Sequence, residues 1–504
     1  MELENNIKEE KKILKLKDGR YFLKEEQNKV YTKIVELHPF DNPNYRWVEM
    51  SIAEIFSICY NDVCLYCPGV KSWITYKEGK WIIDKEGGIV SDKLKELVKI
   101  LVLYATQLPG GDSDKKEKYR NFVNSLYDRR NRDRILKDAK EEARIDIEEF
   151  DKDPYIINCK NGTYNLKTKE FSEHNPSDHL MQMADCEYVL PSMRKKYNFP
   201  RWKSFVEQIT CHHADEEDFL MRAIGYSIFG TATEDCMFFA YGKTTRNGKG
   251  TLFNTIEKVL GAYATSTDVS LILKSKFAAS YSSANPMLVK LRSARFVLMS
   301  ESEKNARLNE ADIKRYTGGD TIQTRDLYVG PVKFTSNFKM WLMCNNLPNI
   351  QDKTLFASDR IVIIPFSAHF DDKHRDKTLR EKFLTKEAKG TVFMWLIECY
   401  NRYERDKLEN QPSSISEAVK KYEIKSDTSA MFVEECCVLD ENKSLLRTSL
   451  YTQYVAWCQS LDYAIKKRRD FYEDLEKITT TKIINGYRYL VGIGFKENFG
   501  VEFR

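Results

Sequence analysis

The sequence predicts an α/β fold whose centre is a parallel sheet, with an α+β region before it and a module of helices and strands after it. Three observations predict the sheet. Short apolar runs recur at 238–241, 296–300, 339–344 and 361–366. A glycine-rich loop and a helix-like apolar pattern follow the first run, and polar residues end the next two. Continuous apolar runs are typical of parallel strands that are buried on both faces.

The overall composition is that of a soluble globular protein. The chain has 504 residues, of which 42% are apolar and 31% charged. Lys and Arg outnumber Asp and Glu by 80 to 75, so the net charge of +5 does not by itself predict a nucleic-acid partner. We find no apolar run near the roughly 20 residues that cross a bilayer, and no signal peptide in Met1–Asn6. These features predict a cytoplasmic protein with no membrane contact.

Residues 1–115 are predicted to form an α+β module. Two short strands, 73–76 and 81–83, are joined at Gly79, and the polar segment 109–114 ends a helix. Three cysteines lie close together in this region, which raises the alternative of a metal-binding interaction protein: Cys59, Cys64 and Cys67. No further Cys or His follows at a zinc-site spacing, so buried thiols are the favoured interpretation.

Residues 116–235 are predicted to be a mostly helical connector. The segment 115–149 has helical spacing, and its basic residues are offset by acidic ones. A solvated helix face is the favoured interpretation, and a nucleic-acid surface is the alternative. A hairpin turn at Asn161-Gly162 and two helices over 202–229 complete the region.

The run 238–241 leads into a loop with the features of a phosphate-binding loop. Gly248 and Gly250 would let the backbone approach a polyphosphate, and Lys249 would reach its β- and γ-phosphates. Lys243 stands where the usual motif has its first glycine, and Gly250 stands at the usual hydroxyl position, so Thr251 is the nearest candidate Mg²⁺ ligand. An ordinary glycine-rich turn is the alternative. The predicted nucleotide contacts are Gly242, Thr245, Asn247, Gly248, Lys249, Gly250, Thr251 and Leu252.

Three later runs deliver polar groups that fit a nucleotide site. Glu301 and Glu303 follow the run 296–300, where a nucleotide-binding sheet holds Mg²⁺ and orients the attacking water. Asn345 follows the run 339–344 and could hydrogen-bond a γ-phosphate or its water. Arg360 precedes the run 361–366. Between these runs, two short strands around Gly330-Pro331 predict a projecting hairpin that carries Arg325 and Lys333; solvated surface charges are the alternative.

The last third is predicted to hold a helical linker (386–425) and a separate module (426–504). The module has helices over 430–437, 448–461 and 469–478, then strands over 482–489 and 491–495. A basic patch precedes its third helix and is a candidate DNA contact: Lys466, Lys467 and Arg468. A solvated charge run is the alternative.

These pieces, in this order, resemble the superfamily 3 helicases of phages, plasmids and large DNA viruses, in the branch related to the poxvirus primase-helicase. The resemblance covers most of the chain from about residue 47 and is strongest over 238–366. The shared sequence motifs include Asn247-Gly248-Lys249, Ser300-Glu301, Lys314 with Thr317-Gly318-Gly319-Asp320, Asn345 with Leu347-Pro348, and Arg360 with Pro365-Phe366.

The resemblance implies an AAA+-like P-loop ATPase core over 236–385, a winged-helix domain over 426–504, and a hexameric ring that translocates on single-stranded or forked DNA. ATP and Mg²⁺ would bind at subunit interfaces. Lys249 would neutralise phosphates, Thr251 and Glu301 would hold Mg²⁺, and Arg360 would act in trans as an arginine finger. The resemblance also assigns water activation to Glu301, with Glu303 as its alternative, and γ-phosphate sensing to Asn345.

The start of the chain departs from that family pattern. About 110 residues before the break at 109–114 are too few for a primase domain, and 146–148 is a weak substitute for its acidic pair. We therefore expect no primer synthesis, and a separate primase or polymerase as partner. The predicted function is that of a replicative helicase of a phage or mobile element in the bacterial cytoplasm. The alternative is an origin-binding initiator or loader that hydrolyses ATP without unwinding DNA.

Overall fold

The computed structural model describes most of the chain. The chain divides into two compact units. The described residues are 14–15, 22–23, 25–193, 200–274, 285–300, 306–325, 331–350, 352, 354–371, 376–461, 463 and 465–496. The first unit comprises 1–153, 161–163 and 172–182, and the second comprises 154–160, 164–171 and 183–504.

In its described residues, the first unit combines five α-helices with an antiparallel sheet of order β3-β4-β5. The predicted pair of strands around Gly79 is confirmed as β4 and β5. The helices are α1 (Glu25–Leu37), α2 (Glu49–Tyr60), α3 (Gly88–Thr106), α4 (Ser113–Ser125) and α5 (Arg129–Glu142). The strands are β1 (Leu14–Lys15), β2 (Phe22–Leu23), β3 (Cys64–Cys67), β4 (Ser72–Lys77) and β5 (Lys80–Asp84). A further sheet contains β6 (Ile156–Cys159), β7 (Gly162–Asn165) and β8 (Phe171–Ser172).

The boundary predicted near residue 115 is wrong, because one hydrophobic core runs through it. Val123 of α4 and Ile135 of α5 are fully buried together with Phe56 of α2 and Leu97 of α3. Each of the two charged helices carries only two buried residues, so its sequence is dominated by the solvent-facing side. The helices therefore complete the first unit and do not begin a connector.

The second unit contains the predicted α/β fold. Five parallel strands have the order β10-β11-β14-β9-β15. The strands are β9 (Met237–Tyr241), β10 (Ala264–Ser266), β11 (Phe296–Ser300), β14 (Lys339–Cys344) and β15 (Ile361–Pro365), and the hairpin strands are β12 (Thr321–Arg325) and β13 (Pro331–Thr335). The helices are α6 (Pro200–Ile209), α7 (Ala214–Ile228), α8 (Lys249–Leu260), α9 (Pro286–Lys290), α10 (Glu310–Thr317), α11 (Thr354–Ala357), α12 (Leu379–Phe383), α13 (Lys386–Asp406) and α14 (Ser413–Ser426).

Both faces of this sheet are covered, which explains its continuous apolar strands. Phe238 of β9 faces a core that includes Phe253 of α8 and Leu396 of α13. The neighbouring Phe239 faces a second core that includes Tyr422 of α14. The helices α13 and α14 were predicted to form a linker, but they pack on opposite faces of the sheet. Gly225 permits a close approach of α7 to α13, since a Cβ there would lie 2.1 Å from the carbonyl oxygen of Cys399.

The remaining elements form a small α/β module with its own core. Its sheet has the order β16-β18-β17. The predicted hairpin exists, but its turn is at Asn485-Gly486, where φ is 51° and 84°, and not near residue 490. Asn-Gly favours this two-residue turn, and the apolar pattern misplaced it. The elements are α15 (Thr428–Cys436), β16 (Cys437–Leu446), α16 (Arg447–Ser460), α17 (Arg468–Leu475), β17 (Thr480–Ile484) and β18 (Tyr487–Phe495); β16 was not predicted.

Candidate functional site

The loop between β9 and α8 requires glycine at two positions. Gly248 has φ of 85°, and a Cβ there would lie 2.3 Å from Cγ2 of Ile209. At Gly242 a Cβ would lie 2.4 Å from the side-chain nitrogen of Asn247 and 2.7 Å from the carbonyl oxygen of Phe366. These distances are shorter than real Cβ contacts, so the observed conformation of the loop depends on both glycines.

Lys249 begins α8, and its side chain points to the carboxyl ends of two adjacent strands. Its ammonium donates to the carbonyl oxygen of Cys344 at 2.7 Å, to Oδ1 of Asn345 at 3.0 Å and to the carbonyl oxygen of Gly242 at 3.4 Å. The residue is only 7% exposed. A buried ammonium is stable when its donors are satisfied, so the predicted loop lysine and the predicted strand-end amide lie within one hydrogen-bonded group.

The rest of the loop is shaped by Asn247, which is 4% exposed. Its side-chain amide donates to the carbonyl oxygen of Thr244 at 2.7 Å. The carbonyl oxygens of Thr245 and Arg246 are bonded to His369 Nδ1 and to the backbone N–H of Phe370, respectively. Left-handed φ values at Arg246 (62°) and Gly248 frame Asn247. Alternation of this kind makes the concave backbone that binds anions.

A cavity of about 350 Å³ opens beside this loop. That volume is within the range of small-molecule sites. Its charged lining residues are mainly basic, comprising Arg201, Arg246, Lys377 and Arg380 against Asp376. Hydrogen bonds from Thr378 and Lys382 lower the pKa of Asp376 to about 2. The cavity therefore combines fixed positive charge with a backbone cradle, as a polyphosphate requires.

Arg380 of α12 is a candidate site residue that sequence reasoning missed. Its Nε lies 3.4 Å from Oγ1 of Thr251, and its Nη2 would lie 3.1 Å from a Cβ on Gly250. Glycine at position 250 thus leaves room for an arginine that is 129 residues from Thr251 in the chain. The one local signal was glycine in place of the usual hydroxyl residue.

Two other predicted nucleotide contacts differ in how far they are exposed to solvent. Thr245 is exposed at the loop surface, and Leu252 is fully buried in the core, so its side chain packs under the loop. Glu301 and Glu303 lie outside the described residues. Ser300 is the exposed last residue of β11.

Arg360 lies at the amino end of β15, whereas the loop follows the carboxyl end of the neighbouring β9. Its Nη2 donates to Asp235 Oδ2 at 3.0 Å, and its Nη1 donates to Thr317 Oγ1 at 2.7 Å. Five strand residues span roughly 16 Å. In one chain, Arg360 and Lys249 therefore face opposite edges of the sheet.

The predicted hairpin strands are confirmed as the antiparallel pair β12 and β13. Pro331 pairs with Arg325 and so belongs to β13, and the segment 326–330 between the strands lies outside the described residues. Lys333 is exposed opposite Gln323. The side chain of Arg325 is not among those described.

The basic patch of the C-terminal module splits into buried and exposed parts. Lys466 is not the solvent-facing residue that was predicted, because its ammonium bonds Asp427 at 2.7 Å and Asp474 at 2.6 Å with 13% of the side chain exposed. Lys467 and Arg468 are exposed, and the Arg468 guanidinium lies 5.4 Å from the ring centre of Tyr451. Lys466 stabilises the module, and its two neighbours face solvent.

The three clustered cysteines lie in two different cores. Cys59 and Cys64 belong to the main core of the first unit, and Cys67 packs with Trp81 in a smaller cluster. Burial raises the pKa of the Cys59 and Cys64 thiols to about 12. Within the described residues, no group of three His, Cys, Asp or Glu side chains could hold a metal ion. No helix in that part of the chain could span a membrane.

Three family models match successive parts of the chain. The model described as D5 N terminal like matches 53–211, a family of unknown function (DUF5906) matches 240–360, and the model described as Poxvirus D5 protein-like matches 424–494. The second match begins just before the loop between β9 and α8 and ends at Arg360.

Curated relatives are viral proteins with provisional helicase names. Helicase L207/L206 of Acanthamoeba polyphaga mimivirus is 23% identical over 78% of this chain and 44% of its own length. Helicase 022R of Frog virus 3 (isolate Goorha) is 24% identical over 74% of this chain and 42% of its own length. The chain therefore spans less than half the length of these relatives.

A solved structure, the A form apo structure of the NrS-1 C terminal region, is 11% identical with a TM-score of 0.40. It covers 85% of this chain and 95% of its own, a likeness too weak to carry an argument. The D5-type matches at both ends and the helicase names of the viral relatives therefore indicate a relationship to the D5-like superfamily 3 helicases.

Proposed function

We propose that this chain is an ATP-driven DNA helicase that works as a ring of identical subunits, with each ATP bound between two neighbours. The placement of Lys249 and Arg360 at opposite edges of one sheet carries the proposal. One subunit cannot bring both side chains to a single triphosphate, whereas head-to-tail copies around a ring can. A hexamer is the ring size that we propose.

In this proposal each subunit supplies two sets of groups. At the loop edge, Lys249, Asn345 and Arg380 bind the polyphosphate, and Thr251 with Glu301 holds Mg²⁺. At the other edge, Arg360 reaches the neighbour's nucleotide. An arginine finger accelerates related phosphoryl transfers by a factor of about 10³ to 10⁵. Hydrolysis would therefore depend on assembly of the ring.

The contacts of Arg360 suggest how hydrolysis moves DNA. Thr317, which holds Arg360, is the last residue of α10, and β12 begins four residues later. Ser336, just after β13, donates its hydroxyl to the carbonyl oxygen of Tyr316. If Arg360 left Thr317 to bind a neighbour's phosphate, the end of α10 would be free to shift. Both strands of the hairpin are joined to that end of α10, so the hairpin would shift with it. Arg325 and Lys333 would then move along the DNA backbone.

We further propose that the C-terminal module is a winged-helix DNA-binding domain. Its element order of helix, strand, two helices and two strands supports this interpretation, with β17 and β18 as the wing. Lys467 and Arg468 are its proposed phosphate contacts.

Strand displacement on a forked DNA tests the function. Purified protein with ATP and Mg²⁺ should release the displaced strand, and Lys249→Ala should not. Lys243→Ala is the matched control, since this lysine is exposed in the same loop. Oligomers that bind the fork and hydrolyse ATP without releasing a strand would refute unwinding and favour an initiator or loader.

A further inference from the structure

The first unit contains an open groove that the proposed ATPase mechanism does not use. It has a volume of about 620 Å³ and lies between the sheet β3–β5 and the helices α3 and α5. Its lining includes seven basic side chains and three carboxylates. The whole chain carries an excess of only five positive charges, so this groove concentrates basic charge far beyond the average.

The carboxylates do little to neutralise this groove. The carboxylate of Asp84 accepts hydrogen bonds from the backbone N–H groups of 88–90 at the start of α3, at 2.9 to 3.1 Å. Asp133 is 3.7 Å from Arg129, and Glu86 is exposed. Among the described residues, Lys71, Lys85 and Lys137 have no carboxylate within 4.0 Å.

One wall of the groove is a row of basic residues along α5. Arg129, Arg132, Lys137 and Lys140 line the groove at spacings of three, five and three residues, while Ile135 and Ala139 are buried in the core. From 129 to 140 the helix rises roughly 16 Å. The row is therefore long enough to contact consecutive phosphates of one DNA strand.

We propose that this groove binds the phosphate backbone of a DNA strand, as a second contact apart from the hairpin of the ATPase core. Lysines without carboxylate partners are available to replace counterions, which is the main source of sequence-independent affinity. Lys71 is held by its turn at φ of 51°, a region that non-glycine residues rarely adopt. DNA as the ligand rests on the proposed function.

The test is DNA affinity of the full chain without nucleotide, measured by anisotropy of a labelled oligothymidine over a range of salt concentrations. The variant is Lys71→Glu/Lys85→Glu/Lys137→Glu. The control is Lys29→Glu/Lys99→Glu/Lys118→Glu, three exposed lysines of the same unit outside the groove lining. Both triple variants change the net charge equally. A difference in their DNA affinity therefore reports where the substituted lysines lie.

The groove variant should bind at least about tenfold more weakly than the control, and its salt slope should fall by about two, at roughly 0.7 per lost single-strand contact. Equal affinities for the two variants would overturn the proposal. Tripolyphosphate binding to Lys249→Ala protein that is lost when the three groove lysines are also changed to Glu, together with equal DNA affinities of the two triple variants, would assign the groove to a small polyphosphate and overturn the proposal. Loss of ATPase in Lys249→Ala is scored separately, so the proposed function can fail alone.

Discussion

At the scale of single residues, the loop between β9 and α8 shows how steric contacts require glycine at a particular position. Gly248 and Gly319 both have left-handed φ values, 85° and 67°. Only Gly248 also faces a wall, the side chain of Ile209, whereas nothing lies within 4 Å of a Cβ on Gly319. Alanine at position 319 would therefore meet backbone strain alone, whereas alanine at position 248 would meet both backbone strain and overpacking.

Gly319→Ala should cost about 1 kcal/mol of unfolding free energy from backbone strain alone. Gly248→Ala adds overpacking and should cost about 2 to 4 kcal/mol. Urea unfolding of the two variants measures the difference. Equal costs would mean that the loop relaxes away from α6.

Arg380 gives the second prediction at this scale. Arg380→Ala should weaken ATP binding about 10-fold to 100-fold, because a hydrogen bond to a charged group contributes about 1.5 to 3 kcal/mol. Titration of a fluorescent ATP analogue measures it, with Glu381→Ala on the same helix as the control, since this side chain is exposed and outside the cavity lining. Gly250→Ala should weaken binding in the wild type and have less effect when Arg380 is absent. Unchanged affinity in Arg380→Ala would remove this residue from the site.

At the scale of elements, neighbouring charges in the C-terminal module have different roles. Burial raises the pKa of Asp474, but hydrogen bonds from Lys466 and Lys477 outweigh it and hold that pKa below its usual range. A lowered carboxyl pKa contributes stability at neutral pH that is lost as pH falls through it. The module should therefore loosen on acidification below about pH 4.

Lys466→Ala should cost the module about 3 kcal/mol, since it leaves two largely buried carboxylates without their cation. Hydrogen exchange over α15 to β18 in the full chain would detect this loss. Lys467→Ala should leave exchange unchanged and weaken DNA binding. Normal exchange in Lys466→Ala would show that the ion pairs do not support the module.

At the scale of the whole molecule, the sequence predicted what local pattern controls. The parallel sheet was predictable from continuous apolar strands, and Lys249 and Asn345 meet because they follow the carboxyl ends of two adjacent parallel strands. Arg380 and the extent of the first core depend on contacts between distant segments. The charged exteriors of α4 and α5 concealed their few buried residues, and Asn485-Gly486 was overlooked as a turn.

The central claim is that Lys249 of one subunit and Arg360 of its neighbour act on one ATP. The test mixes Lys249→Ala with Arg360→Ala, each inactive alone, and measures ATPase activity on single-stranded DNA. In a random one-to-one ring, about a quarter of the interfaces combine the intact Lys249 of one variant with the intact Arg360 of the other.

Arg360→Lys serves as a second variant in case loss of the Asp235 and Thr317 contacts unfolds the alanine protein, and native mass spectrometry monitors mixing of the subunits. The account predicts that ATPase activity returns to about a quarter of the wild-type rate. Mixed rings that form without any recovery of activity would contradict it.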